Sequence, residues 1–150
     1  QNWVKEVIAN NASKYTAVME HYQWFYGDQG STSQFSRWNE LFDKYEVNFA
    51  LGGNNHIYVS THPIKDGQVV EPGKGTVYIQ TPSSDNERGR NVRSKELTDN
   101  AELIKERWTE GAATVGAMLM KVTPNNIEIS LYNRNGELID SNVIMPRIPD

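Results

Sequence analysis

The feature that most constrains the fold is the order in which helical and strand-like patterns follow one another. Apolar residues recur at helical spacing in residues 3–12 and 33–45, and each helical pattern precedes a short β-type run, 15–20 and 47–51. Beyond these, the chain shows strand patterns at 56–60, 68–70, 76–81, 115–122, 127–132 and 138–145. Strands that follow helices can pair in parallel, whereas strands joined by tight turns run antiparallel. The sequence therefore predicts an α/β fold with a short parallel start followed by antiparallel strands.

One segment interrupts this order. Residues 82–100 are polar and charged, which is typical of a long loop. Directly after them, Leu103, Ile104 and Trp108 fall on one side of a helical projection. The pattern predicts one helix within residues 97–110.

Composition excludes several classes of protein. The 150 residues, 37% of them hydrophobic and 23% charged, fit one folded domain spanning 1–150. A net charge of -4 argues against nucleic acid as a partner, and no apolar run approaches the ~18–20 residues that span a bilayer. The chain has no cysteine, so a metal would need His, Asp, Glu or Asn as ligands.

The run LGGNNHIYV, residues 51–59, resembles a metal-binding turn at the end of a strand, but it carries a single imidazole, His56. The chain has two more histidines: His21, which directly follows the strand pattern YTAVME, and His62. Functional side chains of α/β sheets collect where strands end, so His21 and His56 could face one cavity. The alternative is that each histidine is an ordinary polar loop residue.

Three further features have a functional and a structural interpretation. Asp28 in a glycine-rich loop is a possible ligand or a turn former. A basic stretch in the polar loop either meets a phosphate or is solvated. The aromatic stretch at positions 22–26 either lines a cleft or forms a small core beneath the loop. The basic residues are Arg88, Arg90, Arg93 and Lys95, and the aromatic ones are Tyr22, Trp24, Phe25 and Tyr26.

Three stretches together resemble the C-terminal half of calcineurin-like metallophosphoesterases, nearest the purple-acid-phosphatase-like branch. NWVKEVIANNASKYTAVMEHYQWF is similar to a helix and a strand that ends in a metal-binding histidine, here His21. RWNELFDKYEVNFALGGNNHIYVSTHPI is similar to the helix and strand that lead into Gly-His-x-His. GTVYIQT and IEISLYNRNGELIDSNVI resemble the closing strand and the tail strands.

The sequence departs from the family pattern at two places. Asn54 stands where the first histidine of Gly-His-x-His belongs, whereas Gly53 and His56 match the pattern. Tyr22 and Gln23 replace the His-Pro that commonly follows the ligand at position 21. The family's other ligand motifs, Asp-x-His, Gly-Asp-x-x-Asp and Gly-Asn-His-Asp/Glu, do not occur in these 150 residues.

The resemblance implies a fold and a metal site. The fold would be the C-terminal half of a four-layer α-β-β-α sandwich. In the family, two metal ions of the zinc, iron or manganese type, about 3.5–4 Å apart, act on a phosphoester. Here the metal ligands would be His21, His56 and Asn54, and a neutral amide is a weaker donor than an imidazole. We therefore expect the C-terminal portion of a phosphoesterase that does not hydrolyse phosphoesters as this isolated chain.

Other expectations follow from the same resemblance. Asn54 could still coordinate metal in an active parent enzyme, or the fold could persist as a non-catalytic binding module that uses the aromatic loop, residues 24–26. A half-domain would expose an apolar sheet face and self-associate through it. An exported or periplasmic location is favoured because members of this branch are often exported.

Overall fold

The structure, a computed structural model, describes residues 1–26, 30–85 and 100–148. These residues form two α-helices and twelve strands. The helices are α1 (Asn2–Asn10) and α2 (Ser33–Lys44). The strands are β1 (Ala17–Met19), β2 (Phe25–Tyr26), β3 (Gly30–Ser31), β4 (Phe49–Gly52), β5 (Tyr58–Thr61), β6 (Ile64–Lys65), β7 (Gln68–Val69), β8 (Val77–Gln80), β9 (Ile104–Trp108), β10 (Gly116–Val122), β11 (Ile127–Asn133) and β12 (Leu138–Ile144).

The central element is a five-stranded mixed sheet with the order β1-β4-β8-β5-β9. Strands β1, β4 and β8 pair in parallel, and β5 and β9 continue the sheet in antiparallel pairing. Strand β8 therefore lies where the sheet changes from parallel to antiparallel. This arrangement confirms the predicted α/β class with a parallel start and an antiparallel continuation.

One face of the five-stranded sheet is covered by helices. Phe35, Leu41 and Phe42 of α2 are buried in a core cluster with Ala50, Val59 and Tyr78 from the sheet. Helix α2 begins at the Thr32 cap, whose side chain accepts hydrogen bonds from the backbone of Gln34 and Phe35. Helix α1 has no buried residue, although Val4 and Ile8 pack against the same cluster. The helical layer is therefore anchored mainly by α2.

The opposite face is covered by a three-stranded antiparallel sheet with the order β10-β11-β12. Side chains from both sheets form a second buried cluster: Phe49, Tyr58, Val77, Ile79, Trp108, Ile127, Ile129, Leu131 and Ile144. Alternate residues of β4, β5 and β8 point to the two clusters, as the period of a strand requires. The described layers thus run from helices to mixed sheet to antiparallel sheet.

A buried polar cluster joins the two sheets. The Asp140 carboxylate accepts hydrogen bonds from the hydroxyls of Tyr58 (2.8 Å) and Ser60 (2.6 Å) and from the Asn142 amide (3.0 Å). The Lys105 ammonium also donates to Asp140 at 2.6 Å. Burial acts to raise the pKa of Asp140, but the hydrogen bonds from Lys105, Ser60 and Tyr58 outweigh it, so the pKa is lowered. The carboxylate is therefore held ionised between the sheets.

The prediction of a helix within residues 97–110 is wrong. Residues 101–103 form a single 3-10 turn, and residues 104–108 form β9, which pairs with β5 through Tyr58 and Trp108. A segment of five residues is too short for helical and strand periods to be told apart. The non-local pairing with β5 and the burial of Trp108 decide the outcome. Residues 97–99 lie outside the described part of the chain.

Replacing Asp140 is expected to destabilise the fold. Asp140→Asn removes a charge that four donors surround, and we expect the free energy of unfolding to fall by about 2–3 kcal/mol. Urea denaturation followed by tryptophan fluorescence measures the change. Glu6→Gln on exposed α1 removes the same charge and should leave the midpoint unchanged. Equal effects of the two substitutions would contradict the role of the polar cluster.

Stability should also depend on Asp140 in acid. The pKa of Asp140 is lower in the folded than in the unfolded chain, where it is about 4. Its contribution is therefore complete above the unfolded pKa and is lost as the pH falls through the folded pKa. We expect the stability difference between the wild-type chain and Asp140→Asn to shrink below about pH 4. A difference that grows on acidification would contradict this sign.

Candidate functional site

The candidate site lies at the edge where the three parallel strands end. The backbone N–H of Glu20, after β1, donates to the Leu51 carbonyl of β4 (3.0 Å). The N–H of Gly53 donates to the His21 carbonyl (3.1 Å), and the N–H of Thr81, after β8, donates to the Gly52 carbonyl (2.9 Å). The loop that carries His21 therefore lies directly against the loop that carries Asn54 and His56.

Gly52 permits this close approach. A Cβ atom at position 52 would lie 2.5 Å from the Tyr22 carbonyl oxygen and 3.0 Å from Trp24 Nε1. At Gly53 a Cβ atom would meet only the Thr81 hydroxyl at 3.3 Å and the His21 carbonyl at 3.6 Å. Position 52 therefore has no room for a Cβ atom and requires glycine, whereas a Cβ atom at position 53 would make only one tight contact.

Asn54 contacts one of the residues at which the sequence departs from the family pattern. Its Nδ2 donates to Gln23 Oε1 at 2.8 Å, on the exposed surface. Asn54 has a φ of 68°, in the left-handed region that asparagine tolerates better than most residues. The amide that replaces the expected histidine therefore has a structural role of its own.

The two histidines differ in their surroundings. His21 is exposed and packs edge-on against the Tyr22 ring, with 5.2 Å between ring centroids. His56 is partly buried and has a φ of 59°, an unusual backbone conformation for a residue with a side chain. Such conformations cluster at functional sites. The structure brings the two histidine-bearing loops together, and His62 lies apart, in the turn after β5.

Glu20 is a carboxyl group beside His21 that sequence reasoning did not single out. Burial raises its pKa, and the charges of Arg37 and His21 oppose that shift. Its Oε1 is buried without a hydrogen-bond partner among residues 1–26, 30–85 and 100–148. Its position directly before a candidate ligand is the signal that could have drawn attention to it.

Gln80 is a second residue that the sequence analysis missed. It is fully buried at the end of β8, and its Oε1 accepts a hydrogen bond from the Phe25 N–H at 2.5 Å. Its Nε2 faces Asn55 Oδ1 at 3.4 Å, and Asn55 in turn donates to the Phe25 carbonyl (3.3 Å). This amide fixes the aromatic loop against the asparagine loop. In the sequence, this role is indicated only by the position of the glutamine at the end of an apolar strand pattern, VYIQ.

The aromatic stretch is mainly core. Trp24 is 0% exposed and donates through Nε1 to the Ala50 carbonyl at 3.1 Å, and Phe25 is 1% exposed. Neither side chain can contact a partner, so the contact surface expected of residues 24–26 is reduced to Tyr26. Tyr22 is also exposed. The candidate ligand Asp28 and the basic stretch of residues 88–95 lie outside the described residues.

The donor set can be tested against the two-metal centre that the resemblance implies. In the described ranges, no group of three or more His, Asp, Glu or Cys side chains is placed to hold a metal ion. The donors that the resemblance assigns are the imidazoles of His21 and His56 and the Asn54 amide, whose nitrogen end is bonded to Gln23. Two close dications need a bridging anion to offset their repulsion. The described residues therefore do not fit a dinuclear centre by themselves.

These features define the class of fold. The chain is a mixed α/β structure whose sheet is parallel and then antiparallel, with few helices, and it is consistent with half of a metallophosphoesterase fold. No helix of the described residues has the length and apolar character needed to cross a membrane.

Known structures with a similar fold support this class, whereas sequence comparisons do not identify a family. No family model and no curated protein matches the chain. The purple acid phosphatase PPD1 from yellow lupin (Lupinus luteus) seeds matches with a TM-score of 0.70 and 13% identity, over 97% of this chain and 28% of that protein. GAP50, the anchor in the inner membrane complex of Plasmodium, matches with a TM-score of 0.68 and 12% identity, over 98% of this chain and 42% of that protein. The chain spans less than half the length of either structure.

The close approach at Gly52 can be tested by adding one methyl group. Gly52→Ala should lower the free energy of unfolding by about 1–3 kcal/mol, because the Cβ would collide with the Tyr22 carbonyl. Gly53→Ala is the matched control and should cost much less. Urea midpoints of the two variants measure the difference. If Gly53→Ala were the more damaging change, the described packing of the loops would be wrong.

Proposed function

We propose that this chain is part of a metal-dependent phosphohydrolase-like domain and that it contributes His21 and His56 to a metal centre. The observation that carries this proposal is the hydrogen bond from Gly53 N–H to the His21 carbonyl, which holds the two histidine-bearing loops at one sheet edge. Imidazole is the commonest side-chain ligand of zinc and similar ions. The structural likeness to a purple acid phosphatase supports the same class of chemistry.

On this proposal the isolated chain does not hydrolyse phosphoesters. Its described residues offer two imidazoles and one amide, and neither a bridging carboxylate nor a third strong donor joins them. Such a set binds metal loosely and leaves a second ion without ligands. The remaining donors would have to come from other residues.

A second candidate function is a non-catalytic binding module with a degenerate form of this fold. The observation that favours it is the hydrogen bond between Asn54 and Gln23, because two departures from the family pattern contact each other where a ligand is expected. An amide pair of this kind stabilises the loop without metal. GAP50, one of the structural neighbours, is the anchor in the inner membrane complex of Plasmodium.

The first experiment measures activity directly. The 150-residue chain is incubated with a chromogenic phosphomonoester and Mn²⁺, Zn²⁺ or Fe²⁺, and no turnover above that of the His56→Ala variant is expected. Comparison with His56→Ala separates genuine activity from a contaminating phosphatase. Turnover that His56→Ala abolishes would refute the proposal that the chain alone is inactive.

The second experiment distinguishes the two candidate functions by Zn²⁺ affinity. Titration calorimetry should detect weak binding that His21→Ala or His56→Ala abolishes, and His62→Ala is the control histidine. Asn54→His should raise the affinity by at least about tenfold, equivalent to ~1.4 kcal/mol, because it adds an imidazole donor. Zn²⁺ binding that none of these substitutions changes would favour the non-catalytic module.

A further inference from the structure

Three residues beside the histidine loops form a closed ring of hydrogen bonds. The Phe25 N–H donates to Gln80 Oε1 (2.5 Å), Gln80 Nε2 donates to Asn55 Oδ1 (3.4 Å), and Asn55 Nδ2 donates to the Phe25 carbonyl (3.3 Å). Phe25 and Gln80 are both buried. We call this arrangement the amide ring, and it joins β2, the end of β8 and the loop between β4 and β5.

The backbone of Phe25 fixes the orientation of both side-chain amides in the ring. An N–H can only donate a hydrogen bond, so Gln80 must present its oxygen to the Phe25 N–H. A carbonyl can only accept, so Asn55 must present its nitrogen to the Phe25 carbonyl. The free ends of the two amides then face each other as a donor and an acceptor. Neither amide can turn over without bringing like groups into contact, so the ring has one arrangement.

The amide ring bears directly on His56, the next residue after Asn55. The Asn55 side chain is held by the ring, and Ile57, on the other side of His56, is buried in the core cluster under the helices. His56 itself has a φ of 59°. A left-handed conformation is unfavourable for a residue with a Cβ atom and persists where neighbouring contacts hold it. On the Asn55 side, the ring supplies such contacts.

We infer that Gln80 and Asn55 are positioning residues for His56, because the amide ring holds the backbone that carries its imidazole. This inference rests on the proposed function, in which His56 is a metal ligand. A ligand that is already ordered loses less conformational entropy when it binds. Hydrogen-bonded neighbours that orient metal ligands contribute to metal affinity in this way. The ring therefore links the metal centre to β8 and to the aromatic loop.

Zn²⁺ affinity tests the positioning role. Gln80→Met keeps the length of the side chain and removes both of its hydrogen bonds, whereas Asn55→Ala leaves the bond between Gln80 and Phe25 in place. Each substitution should weaken Zn²⁺ binding by about tenfold, measured by NMR titration of the imidazole signals of His21 and His56. A wild-type affinity in either variant would overturn the inference.

Asp140→Asn is the matched control for a loss of stability. Asp140 belongs to the polar cluster between the two sheets, and its replacement is expected to destabilise the fold without touching the amide ring. Asp140→Asn should therefore bind Zn²⁺ as the wild-type chain does, at a temperature at which both are folded. If it weakened binding as much as Gln80→Met does, the effect would be one of stability and the positioning role would be wrong.

The metal-free chain provides a second measurement that does not depend on Zn²⁺. The backbone coupling constant and chemical shifts of His56 report its φ, and both Gln80→Met and Asn55→Ala should change them. Unchanged His56 signals would overturn the inference whether or not the chain binds metal. A wild-type chain that binds no Zn²⁺, but whose His56 signals change in both variants, would refute the proposed function and support the role of the ring in holding His56.

Discussion

The pairing of β8 between β4 and β5 is the interaction on which the rest of the structure depends. All four residues of β8 are buried. Tyr78 faces the helices, Val77 and Ile79 face the smaller sheet, and Gln80 fixes the loops at the candidate site. A strand buried on both faces contributes to two cores at once. The direct parallel pairing of β1 with β4 aligns the strand ends at His21 and at Gly53, and β8 pairs with the other side of β4.

Much of the fold could be predicted because its signals are periodic and local. Helix α2 and the strands β10, β11 and β12 begin and end within one or two residues of their predicted bounds. The segment IKERW could not be assigned in this way, since its state depends on β5, more than forty residues earlier in the chain. The position of β8 between β4 and β5 likewise depends on pairing between segments that are distant in the sequence, which local patterns do not predict.

Only the location of the candidate site could be predicted from the sequence. Strand ends indicated that the His21 loop and the Gly53 loop meet, and the backbone hydrogen bond between them agrees. The partners of individual side chains were not predictable. The contact of Asn54 with Gln23 and the burial of Trp24 depend on the path of two loops through space. Those paths are fixed by Gln80, a residue whose importance no motif signals.

The covering of the larger sheet by β10–β12 has a consequence for synthesis on the ribosome. Residues 116–144, which form the cover, are encoded after all five strands of that sheet. Helix α2 is available early to bury the Tyr78 side, whereas the described residues that cover the Phe49 and Ile79 side are completed only when translation has passed β12. During that interval the nascent chain exposes an apolar surface of the kind that chaperones bind.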